Sequence, residues 1–370
     1  MKISLSRSNR GIALIIVMMV ILVLGFLAGG FAYSMKVETK LARNSNYDSE
    51  FEWLGRSGVE LARYVLGQHM TVPNEGNYDA LNQKWAGGPM GTNEVLANIS
   101  LENVPLGNGT FTVKIIDLER YYNINFADDI TLRQGLTLMG VDAAEMSPIV
   151  DSILDWMDAD DNTHLSGTES DYYLTMQPAY YAKNGPIDDL AELMMVRYVT
   201  PEIYWGPNGT NVSTAPVPVA ATIAASTSTT RNSRLRLRND EPVVYSTGLV
   251  ELFTPISARV ININTASANV FQLIPGLDAN IAAGIITQRA GPDGMDGTED
   301  DVPFRNAGEL INVPGLNTQA VATMQRLFSV RSATFRVNVE VTIDGRTRKC
   351  TAILRRTDPR DIRVLQMYWD

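Results

Sequence analysis

The stretch IALIIVMMVILVLGFLAGGFAY, residues 12–33, decides the fold. It carries no charge over its 22 positions, and a helix of that length rises roughly 33 Å, enough to cross a bilayer core. A short basic leader, MKISLSRSNRG, precedes it, and the sequence after Tyr33 reads as a large soluble body. The chain runs on without proline before Pro73, with Val37, Leu41, Phe51, Leu54, Val59, Leu61, Val65 and Leu66 at loose helical spacing. One long helix over 12–67 is therefore expected, membrane-spanning over 12–33.

No small-residue cleavage site follows the apolar run, so a removable secretory signal does not fit. Two readings of the N-terminus stay open. One is a plain signal anchor. The other resembles a prepilin signal: a leader over 1–11, then cleavage between Gly11 and Ile12. Charge does not settle orientation, because Lys2, Arg7 and Arg10 before the run are balanced by Lys36, Lys40 and Arg43 after it.

Composition narrows the function. The 370 residues favour two to three domains, and an apolar content of 45% is ample for packed cores. The net charge of −10 makes a poor polyanion binder, which needs clustered Lys and Arg. Cys350 is alone, so no intramolecular disulfide can form, and its alternating setting reads as a buried strand thiol. Only His69 and His164 are present, and neither G-x-S-x-G nor H-E-x-x-H occurs. A hydrolase is unsupported, and a non-enzymatic role is the reading.

The fold class expected is α+β. The first part of the body spans 68–118 and ends in an alternating strand, TFTVKIIDL. A helical region over 119–205 follows, including a helix in PIDDLAELMMV with Pro186 near its start. Residues 206–241, rich in Ser, Thr, Ala, Pro and Asn, read as a flexible linker. Residues 242–257 read as a strand segment, 258–328 as a second helical region, and 329–370 as a β terminus. There SATFRVNVEVTI and RTRKCTAILRR flank Asp344-Gly345, a hairpin signal, with a last strand in DIRVLQMYW.

The two helical regions read as one unit used twice. Asn123-Ile124-Asn125 is echoed by Asn262-Ile263-Asn264, Gly140 by Gly276, and Glu192-Leu193 by Glu309-Leu310. Each copy also holds an acidic, glycine-containing loop.

Residues 158–169 follow the spacing of an EF-hand loop: oxygens at Asp158, Asp160 and Asn162, an apolar Leu165, and Glu169 at the twelfth position. Thr163 replaces the glycine of the sharp turn, so this is not a standard hand. A solvated acidic turn and a cation loop both fit the spacing. Asp171 follows two positions on. The second loop, GPDGMDGTEDD, offers Asp293, Asp296, Asp300 and Asp301 in no hand's register.

Taken together, these features resemble the K component of type II secretion systems, a large minor pseudopilin. The resemblance rests on the leader ending at Gly11, NINFA after a strand, ILDW running into DADD, and Asp171-Tyr172-Tyr173. PIDDLAEL, VININTASANVFQLIPGL and FRVNVEVTIDGRTR complete it. It implies a pilin-like α/β body with two inserted small helical domains (SAM-like, or helix-hairpin-helix-like). It also implies processing by prepilin peptidase, a single-pass inner-membrane anchor with a periplasmic body, and a place at the pseudopilus tip. Partners would be the minor I and J pseudopilins, and calcium would be bound. The family's glutamate at mature position five would fall on Ile16, and no acid occurs between Ile12 and Lys36. A different reading comes from ININTASANVFQLIPGLDANIAAGIITQR, which resembles the helix-hairpin-helix of membrane-anchored DNA receptors in competence or pilus-like systems. Asp278 stands where that motif wants a second glycine against phosphate, which argues against nucleic acid.

Overall fold

The structure is a computed structural model and describes residues 10–90, 95–207 and 245–369. The leader before Arg10 and nearly all of the 206–241 segment lie outside the described residues. Helix α1, Arg10–His69, has 60 residues and is therefore about 90 Å long. Within it, Leu14–Leu41 is long and apolar enough to cross a membrane and packs against nothing. Farther along, one face becomes a core face: Phe51, Leu54, Val59, Ala62, Val65 and Leu66 are all buried at helical spacing. Gly58 lies on that face because a Cβ there would overlap the Val339 side chain. Its absence lets helix and sheet approach closely.

The partner of this face is a five-stranded antiparallel sheet in the order β1-β2-β7-β8-β9. Its strands are β1 (Val104–Leu106), β2 (Gly109–Asp117), β7 (Thr334–Ile343), β8 (Arg346–Arg356) and β9 (Ile362–Trp369). Strand alternation sends Phe111, Val113, Ile115, Phe335, Val337, Val339 and Val341 into one core with the helix. Asp344 and Gly345 turn β7 into β8 with φ of 48° and 75°, the paired positive values a type I′ turn requires. Cys350 is buried in β8.

Between β2 and β7 the chain builds two helical units around a second core. The first opens with β3 (Tyr122–Asn123) and closes with β4 (Phe253–Thr254), paired parallel. The second opens with β5 (Ile261–Asn262) and closes with β6 (Phe328–Ser329), again parallel. The first holds α2 (Asp129–Met139), α3 (Ala143–Met157), α4 (Ser170–Tyr173), α5 (Pro201–Trp205) and α6 (Leu249–Leu252). The second holds α7 (Ala268–Phe271), α8 (Ala279–Arg289) and α9 (Thr318–Met324).

The repeat read from the sequence has a hydrogen-bonding cause. Asn123 Oδ1 accepts from the Asn125 amide at 3.0 Å, and Asn262 Oδ1 accepts from the Asn264 amide at 2.9 Å. Asn125 then pairs through both ends of its side-chain amide with the backbone of Ile187. Asn264 does the same with Phe304. Gly140 and Gly276 share φ of 89° and 90°. Glu192 and Glu309 each accept from backbone N–H groups just upstream.

Three boundaries differ from the sequence reading. The segment over 242–257 is not simply a strand: Leu249–Leu252 forms α6 and only Phe253–Thr254 is extended. Burial of Leu249, Leu252 and Phe253 in the helical core overrides the local β preference. That segment closes the first unit, which therefore does not end at 205. The helix expected from Pro186 is a 3₁₀ turn, Leu190–Met195, started by a capping box of Asp189 and Glu192. Helix α1 runs two residues past 67, to His69.

A buried polar joint ties the two cores. Asp117 Oδ2 accepts from Asn262 Nδ2 at 3.1 Å, Thr265 Oγ1 at 2.5 Å and Ser332 Oγ at 2.6 Å. Glu119 accepts from the amides of Ala258 and Thr334. Arg356 pairs with Asp79, whose Oδ1 lies 3.7 Å from His69 Nε2. Burial pushes the carboxyls of Asp117 and Glu119 up, Glu119 to about 8 with Asp117's charge adding to the effect. Burial pushes His69 down.

Candidate metal centre

Helix α3 has an apolar face that places Ile149, Val150, Ile153 and Trp156 in the helical core. Its other buried face is acidic. Asp151 and Asp155, four apart, share that face, and Asp158 follows one turn later at the C-cap. The loop over 159–169 folds back over these carboxylates and is fastened by its own backbone. The His164 amide donates to Asp155 Oδ1 at 3.0 Å, the Thr168 amide to Asp155 Oδ2 at 2.5 Å, and the Ser166 amide to Asp151 Oδ2 at 2.9 Å. Gly167 has no room for a side chain, because a Cβ would run into the Asp155 carboxylate.

This fastening brings chemistry together. His164 Nδ1 contacts Asp155 Oδ1 and lies 3.8 Å from Asp158 Oδ2. One ligand atom each from Asp155, Asp158 and His164 lie within 4.8 Å of one another, the only such group of three among the described residues. Glu169 is only 5% exposed, yet neither of its carboxylate oxygens has a hydrogen-bond partner. Asp158 Oδ1 is likewise unpartnered. Burial, then the charges of Asp155 and Asp158, push Glu169 up to about 7. Burial also raises Asp158, while the hydrogen bond to Asp155 raises His164. Carboxylates crowded this way repel, and a bound cation removes the repulsion.

The sequence-predicted ligands divide. Asp158 and Glu169 lie at this centre. Asp160 and Asn162 hydrogen-bond to each other on the exposed loop, at 2.9 and 2.6 Å. Asp171 is exposed on α4. Reading from Asp158 onward missed Asp155, which is entirely buried, and gave His164 no role. The available signal was the Asp151, Asp155, Asp158 spacing along one helix face.

The second acidic loop is largely self-satisfied. Both oxygens of Asp296 go to the Arg289 guanidinium. Asp293 accepts from the Met295 amide, Asp300 from the Asp293 amide and Thr298, and Asp301 from the Gly297 amide and Thr298. Arg289, the base beside the hairpin over 275–278, is buried and also donates to the carbonyls of Ile263 and Ala266. Asp278 caps α8 by accepting from the Ile281 amide. The helix end and the base that a phosphate would use are both engaged.

The fold and the site together define a class: a pilin-like protein on one apolar N-terminal helix, carrying a duplicated helical unit with an acidic loop. The type II secretion system protein K family model matches residues 125–205. Type II secretion system protein K of Pseudomonas aeruginosa is 26% identical over 237 residues, covering 58% of this chain and 68% of that protein. A putative type II secretion system protein K of Escherichia coli K12 is 24% identical, and that of Aeromonas hydrophila 25%. Each match covers 54% of this chain and 61% of the relative. In fold, the chain is similar to a chain of the crystal structure of the GspK-GspI-GspJ complex from enterotoxigenic Escherichia coli, with TM-score 0.59 and 16% identity. That likeness covers 89% of this chain and 99% of the other. In sequence over part of its length and in fold over most of it, the chain is thus similar to type II secretion system K proteins.

Proposed function

We propose that this chain is a minor pseudopilin that stands at the tip of the pseudopilus, where it initiates or caps a short periplasmic fibre. The observation that carries the reading is Ile16. It occupies the position where a repeating pilin-like subunit offers a carboxylate to the terminal amine of the subunit above. No acid lies between Ile12 and Lys36 to replace it, and the side chains over 14–24 are exposed and apolar. A subunit without that acid gains nothing from a neighbour above, yet its own amine can still meet the acid of a neighbour below. An unpaired charge buried among apolar helices costs several kcal/mol, about 3–5 when a partner is removed. The bulk of the two helical units agrees with a position that does not repeat.

The partners in this reading are the I and J pseudopilins, as in the similar complex. Prepilin peptidase would cut between Gly11 and Ile12, leaving a single-pass inner-membrane anchor and a periplasmic body. The role is structural rather than enzymatic, and nucleic acid is not a partner. A divalent cation belongs at the first acidic loop, where Asp155, Asp158 and Glu169 would hold it, and calcium is the ion the family resemblance implies. The engaged carboxylates of the second loop make a poorer holder. Co-purification of the full chain with the other minor pseudopilins tests the assignment. A stable complex with them is expected, and isolation of the chain alone under the same mild conditions would contradict it.

A further inference from the structure

The two helical units offer an internal comparison. In each, a 3₁₀ turn (Leu190–Met195, Ala307–Asn312) ends on a valine, Val196 or Val313, whose amide donates to the carbonyl of a leucine, Leu193 or Leu310. In each, a capping side chain then starts the next helix: Thr200 for α5 and Asn317 for α9. Between valine and cap the backbone enters the left-handed region at the matching place, Tyr198 with φ of 71° in the first unit and Gly315 with φ of 92° in the second. The second unit fills the two positions with Pro314-Gly315, the first with Arg197-Tyr198. Glycine takes that conformation freely, whereas a bulky side chain is held there at a cost of about 1–3 kcal/mol. The turn alone does not call for the Arg-Tyr pair.

What the pair builds is a surface. The Arg197 guanidinium carbon lies 4.0 Å from the centre of the Tyr172 ring and 4.6 Å from that of Tyr198. Tyr198, Met195 and Leu174 are exposed, and Tyr172 is half-buried. Stacking fixes the plane of the guanidinium, while its side-chain hydrogen bonding is one long contact to Thr168 Oγ1 at 3.4 Å. Among the described residues no carboxylate pairs with it, in a chain that holds 41 acids. A guanidinium stacked on aromatic faces keeps its remaining N–H donors free along its edge, in the fork that matches a carboxylate. Tyr, Met and Arg are also the side chains that carry binding energy at protein interfaces. We infer that Tyr172, Arg197 and Tyr198 form a docking site for an acidic segment of a partner protein. The partner's carboxylate sits on the Arg197 fork, and its apolar side chains lie on the tyrosine rings. Charge complementarity selects this occupant, because a neutral or basic segment would cover the guanidinium without pairing it.

The experiment uses full-length chain in detergent, with millimolar calcium throughout to screen the acidic loop that contains Thr168. The probe is a fluorescein-labelled peptide of Glu-Leu repeats, read by fluorescence anisotropy beside its Gln-Leu and Lys-Leu counterparts. The Glu-Leu peptide should bind at least tenfold tighter than either. Arg197→Gln should weaken that binding at least tenfold, and Arg197→Lys, a point charge without the planar fork, at least threefold. Tyr198→Gly should weaken binding at least threefold while its melting temperature holds or rises, because glycine relieves the left-handed strain. A pair that serves only the fold predicts the reverse, a lower melting temperature in Tyr198→Gly with peptide binding unchanged. That result overturns the site. So does a Glu-Leu peptide that fails to bind, binds no better than its Gln-Leu counterpart, or binds regardless of Arg197→Gln. Displacement by millimolar phosphate as readily as by unlabelled peptide would overturn the assignment to a protein segment and mark a general anion site.

Discussion

Asp117 Oδ2 and Asn262 Nδ2, 3.1 Å apart and 145 positions apart in sequence, join the end of the second sheet strand to the start of the second helical unit. Thr265 and Ser332 donate to the same oxygen. Asp117→Ala strands the Thr265 and Ser332 hydroxyls and the Glu119 amide, which donates to Asp117 Oδ1, whereas Asn262 Nδ2 keeps the Asp79 carbonyl and Ser332 Oγ as acceptors. A stranded buried donor costs about 1–3 kcal/mol, and hydroxyls can partly re-aim, so a loss of about 3 kcal/mol in urea unfolding is expected. Asp48→Ala, which breaks the exposed pair with Arg348, should cost under about 1 kcal/mol. Equal losses would show that the joint contributes no more than a surface pair.

The same joint sets a pH dependence. Glu119 has its carboxyl raised from 4.5 to about 8 by burial and by Asp117. An acid raised on folding stabilises the fold while it holds its proton. Its contribution is fully present below pH 4.5 and is lost as pH climbs toward 8. Stability should therefore fall across that window, and Glu119→Gln should flatten the slope even though it also removes a backbone acceptor. An unchanged slope in the variant would assign the dependence to other groups.

What the sequence made legible was mostly local. The Asp344-Gly345 hairpin is set by backbone preferences of adjacent residues, and the β7–β8 ladder followed from them. The apolar run and the paired Asn-Ile-Asn motifs were equally plain. Closure of the first unit was not, because Asn123 pairs with Thr254 across the segment read as a linker, and nothing in the residues over 249–252 announces a helix. At the site, Asp158 and Glu169 were visible as a spacing. Asp155 was hidden inside a helix motif, where a buried acid and a core residue look alike until the loop folds over it.

The duplication predicts a graded pair of effects. Asn264→Ala leaves the fully buried amide and carbonyl of Phe304 unpaired, whereas Asn125→Ala exposes its counterpart at Ile187 in a partly buried setting. The first should cost about 2–3 kcal/mol and the second about 1–2. Melting curves of the two variants check the order. A reversed order would mean that the two motifs bear different loads.

Processing gives a direct chemical readout. The mature protein should begin at Ile12, and a bulky substitution of Gly11 should leave an uncut precursor in the membrane. N-terminal sequencing distinguishes the outcomes. A terminus at Met1, or one beyond Tyr33, would contradict a prepilin signal.

The tip position is tested most directly by disulfide crosslinking between single cysteines placed along 14–30 of this helix and the matching helices of the other pseudopilins. Ile16 in place of an acid predicts crosslinks to one or two minor partners and none between two copies of this chain. A regular ladder of self-crosslinks would show a repeating subunit and contradict the account.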